Sequence, residues 1–353
     1  MTTTATIINL RSDTQTLPTP AMLAAIAAAP LGDDTYDEDP TVHALEARAA
    51  ALCGKEAAML LISGQMANLV AVMTHASPGD EVIVDADAHI FYYEVGALAS
   101  VAGLSPMPVR SRGGVLDPDE VAAAIRGRDL HFPIPRVLCL ENTHNRSGGR
   151  VTPLAVHRRL CAVARGRGLV VHLDGARIFN AAVAAGVTVR EYAADVDSLM
   201  FALTKGLSCP LGSLLVGSRE FIDRADRVRR RLGGGMRQAG IIAAAGLVAL
   251  DTMIDRLADD HAHARRLAEG IAAIPGLRVD LEAVETNMVY VDHSPSGRTT
   301  AEVLAALQAH GVLASDRAPD HVRMVTHRHI DRADVDEALR RIAAAMAGLQ
   351  RGS

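Results

Sequence analysis

The sequence has few aromatic residues, few cysteines and no apolar run long enough to span a membrane. It contains no Trp, 5 Phe and 5 Tyr, which argues against the stacked aromatic surfaces that bind single-stranded nucleic acid. The longest apolar stretch, residues 239–250, falls short of the roughly 20 residues that cross a bilayer. The cysteines are too sparse for a disulfide framework and form no CxxC pair, so we expect reduced thiols in a cytoplasmic protein; they are Cys53, Cys139, Cys161 and Cys209.

No charge of one sign dominates the chain. Lys plus Arg is 36 and Asp plus Glu is 41, for a net charge of −5, which excludes a polybasic nucleic-acid binder. The one basic run, Arg227–Arg231, is typical of a solvated helix face. His327 and His329 alternate along a strand without further ligands, so no metal site is predicted. The 353 residues are 49% hydrophobic and 22% charged, as in ordinary globular proteins, and the length favours two domains.

Apolar, β-rich runs alternate with amphipathic helical patterns between about residues 57 and 217. The predicted strands are residues 59–62, 81–84, 136–140, 169–173, 198–203 and 213–216. Continuous apolar strands separated by helices indicate a parallel sheet that is buried on both faces. Thr152 is predicted to cap a helix that has Pro153 in its first turn.

A smaller α+β segment follows a long helical stretch at about residues 219–275. Its predicted strands are residues 277–279, 288–291 and 321–325. Thr299 and Glu302 form a capping box at the start of another helix. We therefore expect an α/β fold with a large domain at residues 1–250, which includes the N-terminal segment, and a small C-terminal α+β domain at residues 251–353.

The segment with the most chemical information places Asp174, Gly175 and Arg177 directly after an apolar strand. Thr204 and Lys205 follow the next predicted strand. Taken separately, Asp174 is equally well a helix cap and Lys205 a solvated lysine. Together, a carboxylate and a lysine at neighbouring strand ends are what a pyridoxal 5'-phosphate (PLP) site requires. The lysine forms a Schiff base, and the acid pairs with the protonated pyridine nitrogen.

The turn at Ser63–Gly64–Gln65 leads from a strand into a helix. Free amides at such a helix N-terminus suit a phosphate monoester. The turn matches neither GxGxxG nor the Walker A pattern, so a dinucleotide or a nucleoside triphosphate is not indicated. By itself this signal is weak, and an ordinary helix start is the more frequent explanation.

Seven ordered blocks of the chain resemble the L-threonine aldolases, low-specificity or L-allo-specific. The blocks are residues 10–14, 32–41 in part, 141–145, 172–177, 204–207, 233–238 and 322–327. The resemblance implies an aminotransferase-like, fold type I PLP enzyme. It also implies cleavage of L-threonine, L-allo-threonine and related β-hydroxy-α-amino acids to glycine and an aldehyde. Another PLP reaction (β-elimination, racemisation or transamination) and a catalytically silent ligand-binding homologue are the alternatives.

The resemblance further implies roles for single residues. Lys205 carries the cofactor, Asp174 contacts its pyridine nitrogen, and His89 stacks on its ring. The full set of expected cofactor-binding residues is Lys205, Asp174, His89, Gly64, Gln65, Arg177, Thr204, Arg237 and Arg230. Arg237, with Arg230, is expected to reach the phosphate of a neighbouring subunit, so the resemblance implies a homodimer or homotetramer with shared active sites. Residues 239–250 are candidates for that interface or for an ordinary buried helix.

Ser12, Arg177 and Arg323 are expected to clamp the substrate carboxylate. His144 is expected near the β-hydroxyl group and Tyr93 beside the same space. The expected catalytic residues are therefore Lys205, His144 and His89. By itself, His144 is more simply explained as a loop histidine bonded to a carbonyl group.

Three positions depart from the family pattern. Gln65 replaces a Thr or Ser, Asp37 stands where a Gly is common, and Cys209 replaces a smaller residue such as Ala. None of these departures removes a catalytic group, although each affects a loop near the expected site.

Overall fold

The computed structural model describes residues 7–351. They form two compact units, Leu17–Ile254 and a second unit that combines residues 7–16 with residues 255–351. The sequence-based division at residue 250 assigned the N-terminal segment to the large domain. In the structure this segment belongs to the C-terminal unit, because Ile8 and Asn9 pair with Val312 and Leu313.

The strands and helices are numbered in chain order. The strands are β1 (Ile8–Asn9), β2 (Ala57–Leu61), β3 (Glu81–Asp85), β4 (Ser105–Val109), β5 (Pro135–Glu141), β6 (Val170–Asp174), β7 (Ser198–Ala202), β8 (Ser213–Gly217), β9 (Met288–Asp292), β10 (Val312–Leu313), β11 (Ser315–Ala318) and β12 (His321–Val325). The first seven helices are α1 (Pro20–Ala28), α2 (Pro40–Cys53), α3 (Gly64–His75), α4 (His89–Tyr92), α5 (Ala97–Ser100), α6 (Pro118–Ala124) and α7 (Leu154–Gly166). The others are α8 (Ile178–Ala185), α9 (Val189–Ala193), α10 (Arg219–Arg231), α11 (Gly240–Thr252), α12 (Leu257–Ala272), α13 (Thr300–Ala309) and α14 (Arg332–Arg351).

The larger unit is built on a seven-stranded sheet in the order β2-β8-β7-β6-β5-β3-β4. Strands β7, β6, β5, β3 and β4 are paired in parallel, while β8 runs antiparallel to both of its neighbours. Every residue of β2, β3, β7 and β8 is buried. This confirms the mainly parallel, doubly covered sheet that the continuous apolar runs predict.

One helix start differs from the prediction. Helix α7 begins at Leu154 with Pro153 at its N-cap, and no side chain caps it. Thr152 does not cap the helix: it is buried, and its amide donates to Oδ1 of Asn142 at 3.2 Å. The backbone of Thr152 therefore stabilises the loop that follows β5 and does not cap the helix.

The apolar run at residues 239–250 lies within α11, which packs against α1 and α2 in the larger unit. Its alanines face this contact, since Ala243, Ala245 and Ala249 are fully buried, whereas Ile241 is exposed. Among the described residues, no helix combines the length and apolar character needed to cross a bilayer.

The C-terminal unit contains an antiparallel sheet in the order β11-β12-β9 and the short parallel pair β1-β10. Helices α12, α13 and α14 contribute to its separate apolar core. The predicted strand at residues 277–279 is wrong. Arg278 forms only an isolated bridge to Asp292, because the preceding turn at Gly276 leaves too short a segment to extend the ladder.

Candidate active site

The candidate site lies where the parallel strands of the larger unit end. Asp85, Glu141 and Asp174 are the last residues of β3, β5 and β6, and Glu141 pairs in register with Asp174. Lys205 follows β7 in the next loop. The carboxyl ends of parallel strands share one edge of the sheet, which is where open α/β sheets bind ligands.

Asp174 is 2% exposed and tightly held. Its Oδ2 accepts a hydrogen bond from Nδ2 of Asn68 at 2.8 Å, and its Oδ1 accepts one from the amide of Ala176 at 3.0 Å. Nδ2 of Asn68 also donates to Oε1 of Glu94 at 2.8 Å. One amide group therefore bridges two buried carboxylates and fixes the orientation of Asp174.

His89 begins α4 and contacts the same Glu94. Its Nδ1 lies 2.9 Å from Oε1 of Glu94, and its backbone amide donates to Oε2 of Glu141 at 2.5 Å. Burial lowers the pKa of His89, but the Glu94 hydrogen bond and the charges of Asp174 and Glu94 outweigh it, so the net pKa is raised. The positive charge of Lys205 acts on the same imidazole in the opposite direction. The structure thus brings His89, Asp174 and Lys205 into one electrostatic environment.

Tyr93 directly follows α4 and lies beside His89, with the two ring centroids 5.4 Å apart. Its hydroxyl accepts a hydrogen bond from Nη1 of Arg146 at 3.1 Å, and the Arg146 guanidinium lies 3.7 Å from the centroid of the Tyr92 ring. Nε of Arg146 also pairs with Asp87 at 2.9 Å. This aromatic and cationic group lies directly beside His89.

His144 is 1% exposed, and both of its ring nitrogens are engaged. Nε2 lies 3.2 Å from Oδ2 of Asp85, and Nδ1 accepts from the amide of Ser147 at 3.2 Å. Burial lowers the pKa of His144, but Asp85 and then Glu141 raise it by more. The pKa of Asp85 is lowered, because the contact with His144 contributes to outweighing the effect of burial. The alternative contact with a loop carbonyl is therefore not the one that this side chain makes.

Lys205 and Thr204 are half-buried in the loop between β7 and β8. Ser208 is fully buried with a φ of 64°, and its amide donates to the carbonyl of Lys205 at 2.9 Å. Cys209 is buried, which raises the pKa of its thiol to about 12 and leaves it protonated and unreactive. The loop holds the backbone of Lys205 in a tight turn.

The start of α3 has the features of a phosphate cradle. Ser63 caps the helix by accepting from the Met66 amide, which leaves the amides of Gly64 and Gln65 at the open helix end. A Cβ at position 64 would lie 2.7 Å from Cε of Met200 and 3.6 Å from Oγ of Ser213. That Oγ is buried without a hydrogen-bond partner among the described residues. Met200 thus packs closely against Gly64 and leaves no room for a side chain there, while the Gly64 and Gln65 amides and the Ser213 hydroxyl are groups that suit a phosphate.

The residues expected to bind a carboxylate are divided between the two units. Arg177 is 7% exposed at the start of α8 in the larger unit. In the C-terminal unit, Nη2 of Arg323 donates to the carbonyl of Arg11 at 3.1 Å, next to Ser12. Oγ of Ser12 accepts from the Thr14 amide at 3.2 Å. The structure thus brings Ser12 close to Arg323.

Arg237 and Arg230 are partly exposed on the larger unit. Nη1 of Arg237 contacts Oγ1 of Thr35, and Nε of Arg230 pairs with Asp226 at 2.8 Å. Arg229, within the run that was expected to be a solvated face, is 4% exposed instead. It is drawn inward by Asp34, by Asp226 and by the carbonyl of Leu60.

Three residues that sequence reasoning missed organise the site. Asn68 lies on α3, one turn after Gly64, and Glu94 lies five residues after His89. Glu141 was noticed only as part of a motif. The spacing of Asn68 from Gly64 places both on one helix face and could have indicated it. Glu94 gave no local signal, because it reaches His89 only after α4 turns the chain.

His89, Glu94 and Asp174 each offer one potential ligand atom, and these three atoms lie within 4.8 Å of one another. A cation there would compete with the Asn68 amide, which already donates to both carboxylates. The arrangement is that of a hydrogen-bonded network around an acidic group.

Comparison with known proteins gives concordant results. A family model described as beta-eliminating lyase matches residues 9–294. The chain is 43% identical to a probable low-specificity L-threonine aldolase 2 of Arabidopsis thaliana, over 96% of both chains. It is 44% identical to the low specificity L-threonine aldolase of Escherichia coli K12, over 94% of this chain and 97% of the relative.

Solved structures show the same fold. A threonine aldolase of Leishmania major matches with a TM-score of 0.82 at 18% identity, over 97% of this chain and 99% of that one. A structure of SPT with a PLP internal aldimine matches with a TM-score of 0.74 at 19% identity, over 97% of this chain and 88% of that one. These two similarities concern the fold alone.

Proposed function

The chain belongs to the beta-eliminating lyase family and, within it, to the L-threonine aldolases, and from this we propose that it cleaves L-threonine, L-allo-threonine and related β-hydroxy-α-amino acids to glycine and an aldehyde, in a reversible reaction. The observation that carries the proposal is the similarity to aldolases at 43–44% identity over nearly the whole chain. The sequence keeps Asp174 and Lys205 at adjacent strand ends. It is thus a carbon–carbon lyase.

We propose PLP as the cofactor, because the groups around Asp174 fit it. Asp174 is a fixed carboxylate suited to a protonated ring nitrogen, and Lys205 supplies the amine. The start of α3 offers amides for the phosphate, and Ser213 at the start of β8 offers a buried hydroxyl. Bound PLP supplies a ring that withdraws electrons from the substrate α-carbon. Thr204, Gln65 and Arg177 would complete the binding set.

The protein's own residues would orient the substrate. Arg177, with Ser12 and Arg323, would bind the α-carboxylate, since guanidinium groups can hold it through two hydrogen bonds. His89 would cover one face of the cofactor ring and exclude water from it. Holding the carboxylate in one direction determines which bond of the α-carbon is cleaved, and hence whether the protein acts as an aldolase.

His144 would accept the proton of the substrate β-hydroxyl group, directly or through a water molecule that it holds. Its Nε2 is paired with Asp85, so the proton would enter at Nδ1 after the Ser147 amide releases it. The negative charge of Asp85 then stabilises the protonated imidazole. A base of this kind typically contributes about 10²–10⁴-fold in rate.

The proposal extends to assembly and location. We propose a homodimer or homotetramer in which Arg237, with Arg230, reaches the phosphate of the neighbouring site. A cytoplasmic location is supported by the four cysteines, which are all buried and unpaired.

The test uses the fact that Lys55 and Lys205 are the two lysines of the sequence. Lys55 lies at the opposite, amino-terminal edge of the sheet, where its Nζ donates to the carbonyl of Val196 at 2.6 Å. We expect borohydride reduction of the PLP-loaded protein, followed by peptide mapping, to find the cofactor on Lys205. Lys205→Ala should abolish turnover, and Lys55→Met should retain it.

The products that the protein releases identify which reaction it catalyses. We expect purified wild-type protein to release glycine and acetaldehyde from L-threonine and L-allo-threonine, identified by chiral chromatography. A keto acid with ammonia would instead indicate elimination, a keto acid without ammonia would indicate transamination, and the opposite enantiomer would indicate racemisation. Wild-type turnover in Lys205→Ala would overturn the proposal, and PLP binding without any product would favour a silent homologue.

A further inference from the structure

A chain of buried hydrogen bonds leads from Asp174 away from the cofactor side. Beyond Asn68, whose amide donates to Asp174, Oδ1 of Asn68 lies 3.1 Å from Nε2 of His172. Nδ1 of His172 lies 2.9 Å from Oγ of Ser198, and the same Oγ lies 2.8 Å from Nε2 of His75. His172 and Ser198 are fully buried.

The elements of the larger unit explain why these side chains meet. His172 and Asp174 are two residues apart on β6 and so point to the same face of the sheet. Ser198 pairs in register with His172 on the neighbouring strand β7. Asn68 and His75 lie seven residues apart on α3, which places them on one face of this helix, two turns apart.

The donor and the acceptor of every hydrogen bond in this chain can be assigned by starting from Asp174 at one end. An ionised Asp174 can only accept, so the group facing it must be the NH₂ of Asn68, and Oδ1 of Asn68 must face His172. Nε2 of His172 must then carry a proton, which leaves Nδ1 to accept from the hydroxyl of Ser198. That hydroxyl oxygen in turn accepts from Nε2–H of His75.

The electrostatics of the two histidines agree with this assignment. Burial lowers the pKa of His172 to about 4 and that of His75 to about 3, so both are neutral near pH 7. The ring of His75 is further held by stacking on Phe221, with 4.4 Å between ring centroids. Each neutral imidazole offers one donor and one acceptor, which is what a chain with one direction needs.

We propose that His75, Ser198 and His172 are positioning residues that keep the Asn68 amide, and through it Asp174, in the orientation that binds the cofactor ring nitrogen. A rotation of the Asn68 amide by 180° would turn its oxygen toward the carboxylates of Asp174 and Glu94. The hydrogen-bonded chain prevents this rotation, because the rotated amide would also direct its NH₂ group at the Nε2–H group of His172. The proposal rests on the proposed function only for the identity of the cofactor.

The first test reads the tautomers directly in the cofactor-free protein. Long-range ¹H–¹⁵N spectra of histidine-labelled protein at pH 7 distinguish Nδ1–H, Nε2–H and protonated imidazole, and His75→Gln and His172→Gln variants assign the two signals. We expect both histidines to be neutral and in the Nε2–H form. A protonated ring or an Nδ1–H tautomer at either position would overturn the proposal.

The second test breaks the chain at one atom. Ser198→Ala removes the hydroxyl that donates to His172, so the His172 tautomers should mix. The dissociation constant for PLP, measured by absorbance titration of the cofactor-free protein, should rise about tenfold, as expected when a buried hydrogen-bonding group loses its partner. Ser198→Cys retains a weak donor and should recover part of the affinity.

Thr74→Val is the matched control, because it removes a hydroxyl from α3, the helix that carries Asn68 and His75, and this hydroxyl donates to the carbonyl of Val70 outside the hydrogen-bonded chain. It should leave both the PLP affinity and the His172 tautomer unchanged. Equal PLP affinity in Ser198→Ala, Thr74→Val and wild type would overturn the positioning role. Failure of the wild-type protein to bind PLP would instead overturn the proposed function, and the tautomers would still be readable.

Discussion

His144 shows at the residue scale how contacts assign a role to a side chain. The sequence placed it after a strand and the resemblance gave it a catalytic part, but neither identified a partner. The structure supplies Asp85 on one ring nitrogen and the Ser147 amide on the other. Burial lowers the pKa of His144, but the contact with Asp85 raises it by more, and the Ser147 amide donates to Nδ1, so this nitrogen is an acceptor.

The pH dependence of turnover should therefore report this pair. A base must be unprotonated, so kcat/KM for L-threonine should fall as the pH decreases through the raised pKa of His144. Asp85→Asn removes the carboxylate charge, lowers this pKa and should move the acidic limb of the profile to lower pH. His144→Gln should reduce kcat by about 10²–10⁴-fold. An acidic limb at the same pH in Asp85→Asn and wild type would contradict the role of His144 as the base.

The turn after β6 matters at the scale of an element, because it connects Asp174 to α8. The amide of Gly175 donates to the carbonyl of Met200 at 2.9 Å. A Cβ at position 175 would lie 2.7 Å from that carbonyl oxygen and 2.9 Å from Cβ of Ile178. The neighbouring strand thus leaves no space for a side chain directly after Asp174, the acid that we propose binds the cofactor.

We accordingly expect Gly175→Ala to impair both folding and cofactor binding. Overpacking of a buried site should lower the free energy of unfolding by about 1–3 kcal/mol, and the shift of the Asp174 backbone should weaken PLP binding. Urea unfolding and absorbance titration measure the two effects.

Gly166→Ala is a suitable comparison at the end of α7, where an added Cβ meets nothing within 4 Å. Its stability should be unchanged or rise by about 0.5–1 kcal/mol. If Gly175→Ala proved as stable as Gly166→Ala, the close contact with β7 would not be rigid, and the account of this turn would be wrong.

The turn that ends at Asp37 departs from the family pattern, in which Gly is common at this position. Its φ of 59° and ψ of 40° are left-handed, at the end of a 3₁₀ turn where the family's Gly would be unstrained. Asp is among the few other residues that adopt this conformation at modest cost. Oδ1 of Asp37 also lies 2.6 Å from Nε2 of His43. Asp37 therefore occupies a conformation that suits Gly, and its side chain adds a contact with His43 that Gly could not make.

At the scale of the whole molecule, we propose that each active site receives Arg237 from a neighbouring subunit. The Arg237 side chain is 61% exposed and makes its contacts within its own chain, to Thr35 and Asp33. An exposed arginine beside a loop is available to a second copy. A site completed in this way would be inactive in an isolated chain.

Mixing two inactive variants tests the sharing. Lys205→Ala and Arg237→Ala should each lose most activity, since each site then lacks one group. After dissociation and reassembly, statistical mixed dimers carry one intact site each, so about a quarter of the wild-type activity should return if the interface is a two-fold one. Lys205→Ala mixed with Asp174→Asn should recover none, because both residues serve the site of their own chain. No recovery in the first mixture would contradict a shared site.

The sequence by itself determined the strands of the central sheet other than β4, and the edge of that sheet at which Asp174 and Lys205 both lie. Hydrophobic periodicity is a local property of the sequence, and the carboxyl ends of parallel strands share one edge of a sheet. Only the tertiary structure decided that Asn68 and His172 hold Asp174, that Asp85 faces His144, that Arg229 is buried and that residues 7–16 join the C-terminal unit. These contacts join groups that are far apart in the chain, so their partners, and the protonation states that follow from burial, exist only once packing has brought them together.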